Sequence, residues 1–198
     1  MLFIPSALIN DPRDTCSVSR ISVVQAITDG NRGFPYDRIV QIGVVDADTD
    51  SHDLSDELLI TIRSDIDGWS QAQREYVGGT VSKDDIRNGM ELEDAVDPIK
   101  NRLNGKDATS FEISNTFGRY LSFEPWDLTH EISILPSISF RLPSTVRGMD
   151  TSKENVFIER AHQRYLGRSL GTADRKDALD YAKGSAELLL YLRDNGLY

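Results

Sequence analysis

At 198 residues, with 39% hydrophobic side chains including two Trp and seven Phe, the chain is long enough for one domain with a sizeable core. Its 32 acidic against 22 basic side chains give a formal net charge of −10, which repels a phosphate backbone and argues against non-specific nucleic-acid binding. The single Cys16 excludes an internal disulfide, and no Cys/His cluster has metal-binding spacing, which fits a reducing, cytoplasmic setting.

The opening segment MLFIPSALIN is apolar, but it lacks a basic n-region and is broken by Pro5. Residues 1–20 are therefore expected to form a packed arm rather than a secretion signal, and residues 21–198 a single domain. No apolar run approaches the roughly 20 residues that span a bilayer, so a soluble protein is expected. From Ile21, the β-branched run ISVVQAI ends at the turn cluster Thr28-Asp29-Gly30 and predicts a central strand. Arg38 to Asp48 predicts a second strand, with Ile39, Gln41, Gly43 and Val45 on one face and Val40, Ile42 and Val44 on the other. A turn over 48–53 and a returning strand over Glu57 to Arg63 complete an antiparallel meander.

Helical signals begin after Gly68. SQAQREYVGG predicts a short helix closed by Gly78-Gly79, and residues 82–105 a second, single helix with Leu92, Ala95, Val96, Ile99 and Leu103 at helical spacing. A short buried strand is expected over Ala108 to Ile113, a helix opening over Thr116 to Leu121, and an extended segment near Glu131 to Leu135 in an otherwise irregular, Pro-containing stretch. Lys153 to Leu166 predicts an amphipathic helix carrying Val156, Phe157, Ala161 and Leu166 inward. Lys176 to Asn195 predicts the closing helix, with Ala178, Leu179, Ala182, Ala186, Leu189, Leu190 and Leu192 as its buried stripe. A meander followed by alternating helices and strands describes a mixed α/β sheet flanked by helices.

Three segments of this chain, in this order, resemble the DEDD-type 3′–5′ exonucleases of the ribonuclease H-like class. They are VVQAITDGNRGFPYDRIVQIGVV, VSKDDIRNGMELEDAVDPIKNRL and YLGRSLGTADRKDALDYAKGSAELLLYLRDNGL, with SNTFGRYLSFEPW similar to the family's second-motif helix. The resemblance implies a ribonuclease H-like sheet and a site in which four carboxylates hold two Mg²⁺ or Mn²⁺ ions while a His or Tyr deprotonates water. The matching positions here are Gln25 and Ile27 on the first strand, Gly118 in the second motif, and Lys176 and Tyr181 in the last. All five depart from what the chemistry requires.

The expectation is a catalytically inactive exonuclease-fold protein without a cofactor, acting as a structural or regulatory subunit that binds a protein partner or nucleic acid. In that reading Ile27 and Tyr181 fill a vacated pocket, Gln25 hydrogen-bonds locally, and Lys176 lies on the helix surface. A second reading keeps an active Mg²⁺- or Mn²⁺-dependent exonuclease using displaced acids, Asp29, Glu112 and Asp180. A third keeps a nucleotide-binding module without metals. The irregular stretch Pro125 to Asp150 and the apolar arm are the expected contact surfaces.

Other features carry structural readings. Asp46, Asp48, Asp50, His52 and Asp53 lack the glycine and terminal Glu of an EF-hand and read as a solvated hairpin tip. His130 and His162 are isolated and read as surface or satisfied buried residues. Arg141, Arg147, Arg160, Arg164 and Arg168 make the stretch after Pro136 the most basic, and read as a solvated face paired with Glu154 and Glu159.

Overall fold

The computed structural model describes residues 19–143, 154–171 and 175–198; residues 1–18 of the arm expected over 1–20, the end of the irregular stretch and Arg147 lie outside the described residues. Strands β1 (Arg20–Thr28), β2 (Ile39–Asp48) and β3 (Leu54–Thr61) form the expected antiparallel meander. Two short strands, β4 (Asp107–Thr109) and β5 (Ser133–Ile134), extend the sheet in parallel beyond β1, giving the order β3-β2-β1-β4-β5. The sheet is therefore mixed, with β1 at its centre and almost every residue of β1 and β2 buried, as their β-branched runs require.

The helices divide between the two faces. On one face lie α6 (Glu154–Leu166) and α7 (Ala178–Asp194), packed over Ile21, Val23, Ile27, Val40 and Val45. On the other, α3 (Leu92–Leu103) and the segment from α4 (Ile113–Thr116) through the π-type turn Phe117–Leu121 pack over Val24, Ile39, Ile42 and Val44. The short helices α1 (Gln71–Val77) and α2 (Lys83–Arg87) lie between β3 and α3 in the chain, and α5 (Ile138–Arg141) follows β5. The π-type turn is the kind of local irregularity that often marks a functional segment.

Several expectations need correction. The face alternation predicted for β2 fails at its start: the register shifts between Ile27 and Thr28, and the resulting bulge puts Val40 on the α7 face and Ile39 on the other. The single helix expected over 82–105 is two helices. Between them Met90 pairs with Ile62 beside β3, and Gly89 sits where a Cβ would press on the backbone of Thr61 and Ile62, so the chain must leave helical geometry there. Residues 138–141, expected as loop, form α5. In α6, Val156 is exposed, whereas Ile158 and His162 are buried beside Phe157 and Ala161. Asp46 is not at a hairpin tip. It is fully buried in β2, where it pairs with Arg102 at 2.8 Å and Lys106 at 3.0 Å and accepts the Ser22 hydroxyl at 2.6 Å.

Candidate functional site

A cleft of about 280 Å³ opens at the C-terminal end of β1, lined by Ala26, Ile27 and Thr28 of the strand and Gly30 and Asn31 beyond it. Tyr76 and Thr80 close one side, Asn115, Thr116, Arg119 and Tyr120 another, and Glu154 and Asn155 enter from the first turn of α6. This is the edge where the central strand of an open α/β sheet stops and its neighbours diverge, leaving room for a ligand.

Gln25 lies just behind the cleft, buried on the face that α7 covers. Its amide is oriented by its surroundings: the oxygen accepts from Phe111 N–H at 2.8 Å and the Ser185 hydroxyl at 3.1 Å, while the nitrogen donates to Glu154 Oε1 at 3.1 Å. Glu154 also accepts from the Glu112 backbone N–H at 3.2 Å and from Asn115 Nδ2 at 3.1 Å. Burial, aided by the nearby charge of Glu112 and only partly offset by these hydrogen bonds, leaves its carboxyl pushed up to about 7. Tyr76 and Tyr120 are held above the ordinary phenol range chiefly by burial, and the charge of Glu154 contributes at Tyr76. Arg119 reaches outward and donates from Nη1 to Asn31 O at 2.6 Å.

The remaining family positions have other roles. Ile27 is a core residue with 5% exposure. Tyr181 is equally buried and donates its hydroxyl to Glu159 Oε1 at 3.0 Å; burial and that carboxylate hold its phenol far above the ordinary range. Lys176 is not on a helix surface. It precedes the Asp177 cap of α7 and turns onto Glu159 at 3.4 Å, with 19% of its side chain exposed. Gly118 is exposed and does not line the cleft; on its segment Asn115, Thr116, Arg119 and Tyr120 do. No carboxylate of this chain stands at any of these five positions.

The displaced acids are dispersed. Asp29 Oδ1 accepts from Arg38 N–H at 2.6 Å and its Oδ2 from Gln73 Nε2 at 3.0 Å, so it fastens the loop after β1 to α1. Asp180 closes a capping box with Asp177 at the start of α7. Glu112 alone of the three adjoins Glu154. Among the described residues, no three His, Cys, Asp or Glu side chains gather as a metal ion would need. Gln25, Ile27 and Tyr181, with Glu154 and its neighbour Glu112, do not fit two hard divalent cations, which require several anionic oxygens each.

Glu154 is the residue that reading the sequence missed. It was expected on a solvated face, yet it lines the cleft, because the first turn of α6 lies against Glu112 and Asn115 at the start of α4. His162, by contrast, is a satisfied buried residue: Nδ1 meets Arg168 O at 2.9 Å and Nε2 meets Glu187 Oε2 at 2.5 Å, joining α6 to α7.

No protein-family model matches this chain, and no curated protein does. Solved structures do. The nuclease domain of 3′hExo, a DEDDh family member bound to rAMP, is similar over 91% of this chain and 94% of its own, at 14% identity and a TM-score of 0.59. Cell-death related nuclease 4 (CRN-4) is similar at 12% identity and a TM-score of 0.60, over 90% of this chain and 64% of its own. Exonuclease I from Methylocaldum szegediense is similar at 15% identity and a TM-score of 0.61, over 89% of this chain, which spans only 41% of that enzyme. The five-stranded mixed sheet between two helical layers is thus the fold of the DEDD exonucleases, in the ribonuclease H-like class.

Proposed function

We propose that this chain is an exonuclease-fold protein that binds rather than cuts, acting as a structural or regulatory subunit. The observation that carries the reading is the chemistry at the end of β1. The positions matching the metal-binding acids hold a hydrogen-bonded amide, a core isoleucine, an exposed glycine and a core tyrosine, and Glu154 supplies one carboxylate. In-line phosphodiester hydrolysis on this fold depends on two cations that neutralise the attacking and leaving oxygens. A single acid offset by neutral donors supports no such pair.

The net charge of −10 favours a protein partner over nucleic acid. The structural neighbours are nucleases, and holding a nucleic-acid end without cutting it is the form of binding they would suggest. The deciding measurement incubates the purified chain with single-stranded DNA and RNA oligonucleotides in Mg²⁺ and in Mn²⁺. No shortening above a protein-free control is expected. Metal-dependent shortening that disappears in Asp29→Ala or Asp180→Ala would establish the enzyme built on displaced acids instead.

A further inference from the structure

We infer that the cleft at the end of β1 is a site for an organic cation, taking a primary ammonium or guanidinium group against Glu154 in the cleft that Tyr76 and Tyr120 also line. The inference rests on the reading that the cleft does not hold divalent metals.

Charge is the first argument. Among the described residues, the partners of the Glu154 carboxyl are neutral: a backbone N–H, the Asn115 amide and the Gln25 amide. Such donors orient a carboxylate without cancelling its charge, and the neighbouring Glu112 adds a second negative charge. Among the described residues lining the cleft the cation is Arg119, which turns its Nη1 to Asn31 O at the exposed rim, and none of the ion pairs among the described residues includes Glu154. An anionic ligand would be repelled by Glu154 and by Glu112 next to it, whereas a cationic group would favour the charged form of the Glu154 carboxyl.

Shape and lining point the same way. Tyr76 and Tyr120 both line the cleft, and the charge of Glu154 is felt at the Tyr76 phenol, so acid and ring lie within electrostatic reach of one ligand position. A cation near a tyrosine ring gains attraction from the ring quadrupole. Asn31, Asn115 and Asn155 offer amide oxygens to the remaining N–H groups. At about 280 Å³ the cleft is below the usual size for a drug-sized ligand and suits a single side chain or small amine. The same chemistry arises from a Lys or Arg projected by a partner protein and from a free amine.

The test is an NMR titration of the whole chain with n-butylammonium and with N-methylguanidinium, using n-butanol as the neutral isostere. Saturable shifts centred on Asn31, Tyr76, Asn115, Tyr120 and Glu154 are expected, with dissociation constants on the order of millimolar. Glu154→Gln keeps the side-chain shape and should weaken binding about tenfold, and Tyr76→Leu should weaken it about threefold. Thermal melts of both variants verify that they fold. N-acetyl-lysine methylamide binding more tightly than butylammonium upholds the inference with a protein side chain as the source; equal binding upholds it with a free amine. Equal shifts from butanol, or unchanged binding by a folded Glu154→Gln, overturn it. Absence of both nuclease activity and ammonium binding sinks this inference alone, whereas Mn²⁺-dependent cleavage removes the proposed function as well.

Discussion

The carboxylates of Glu154 and Asp46 are treated in opposite ways by their surroundings. Glu154 rises from 4.5 to about 7 in the folded chain. Between those values the folded state keeps a proton that the unfolded state has lost, so stability falls as pH rises through that window and then levels off. Water reaching the open cleft limits the cost to about 1 kcal/mol, well below the full shift. Glu154→Gln should therefore be more stable than the native chain by about 1 kcal/mol at pH 8 and indistinguishable near pH 4, as urea melts at the two pH values will show.

Asp46 behaves in the reverse sense. Burial alone would raise its carboxyl, but hydrogen bonds from Arg102, Ser22 and Lys106 outweigh that and hold it below the usual range. Its contribution is present above the unfolded value near 3.9 and is lost as pH falls through the lower folded value. Asp46→Ala strands Arg102 and Lys106 beside an apolar sheet and should cost about 3 kcal/mol, read from the urea midpoint. Neither role was legible in the sequence. Asp46 sits among three other aspartates in a run that signals a turn, and Glu154 begins an amphipathic helix as many surface glutamates do. What buries them is chain far away in sequence.

At the level of elements, α7 depends on one close approach. A Cβ on Gly43 would fall inside the envelope of the Ala178 carbonyl and the Leu179 amide, and Gln41 Oε1 accepts from Ala178 N–H at 2.9 Å, so β2 holds the first turn of α7 by backbone contact. Gly43→Ala should lower stability by about 3 kcal/mol, because rigid backbone and not a side-chain tip must move. Asp177→Ala, which removes only the cap, should cost about 1 kcal/mol, and a thermal melt separates the two. The sequence predicted α7 well because its apolar stripe runs through four turns. It mispredicted 82–105 because periodicity continues across Gly89, and the pairing of Met90 with Ile62 that interrupts the helix is a tertiary event.

For the whole molecule, the meander and its helices were readable because β-branched strands and helical stripes follow local rules, and the order of segments carried the resemblance to the exonuclease fold. The site was harder to read. Gln25 and Ile27 lie on β1, where the strand fixes direction, whereas Gly118 lies in a π-type turn and does not line the cleft. Charge also acts at this scale. With a net −10, single-stranded oligonucleotides should bind no tighter than about 10⁻⁴ M at physiological salt, which fluorescence anisotropy measures directly.

The segment after β1 presents Phe34 and Tyr36 to solvent, and the Phe34 ring stacks at 5.3 Å on the exposed Phe123, which follows the π-type turn. Yet its amides are spoken for: Phe34 N–H reaches Arg119 O, Arg32 N–H reaches the buried Asp37 carboxylate, and Arg38 N–H reaches Asp29. Hydrogen exchange at these three amides should accordingly be as slow as in the strands beside them, although the side chains around them are wet. A loop protected in this way presents its aromatic rings already in place, so whatever lands on them meets a surface whose ordering entropy was settled when the domain folded.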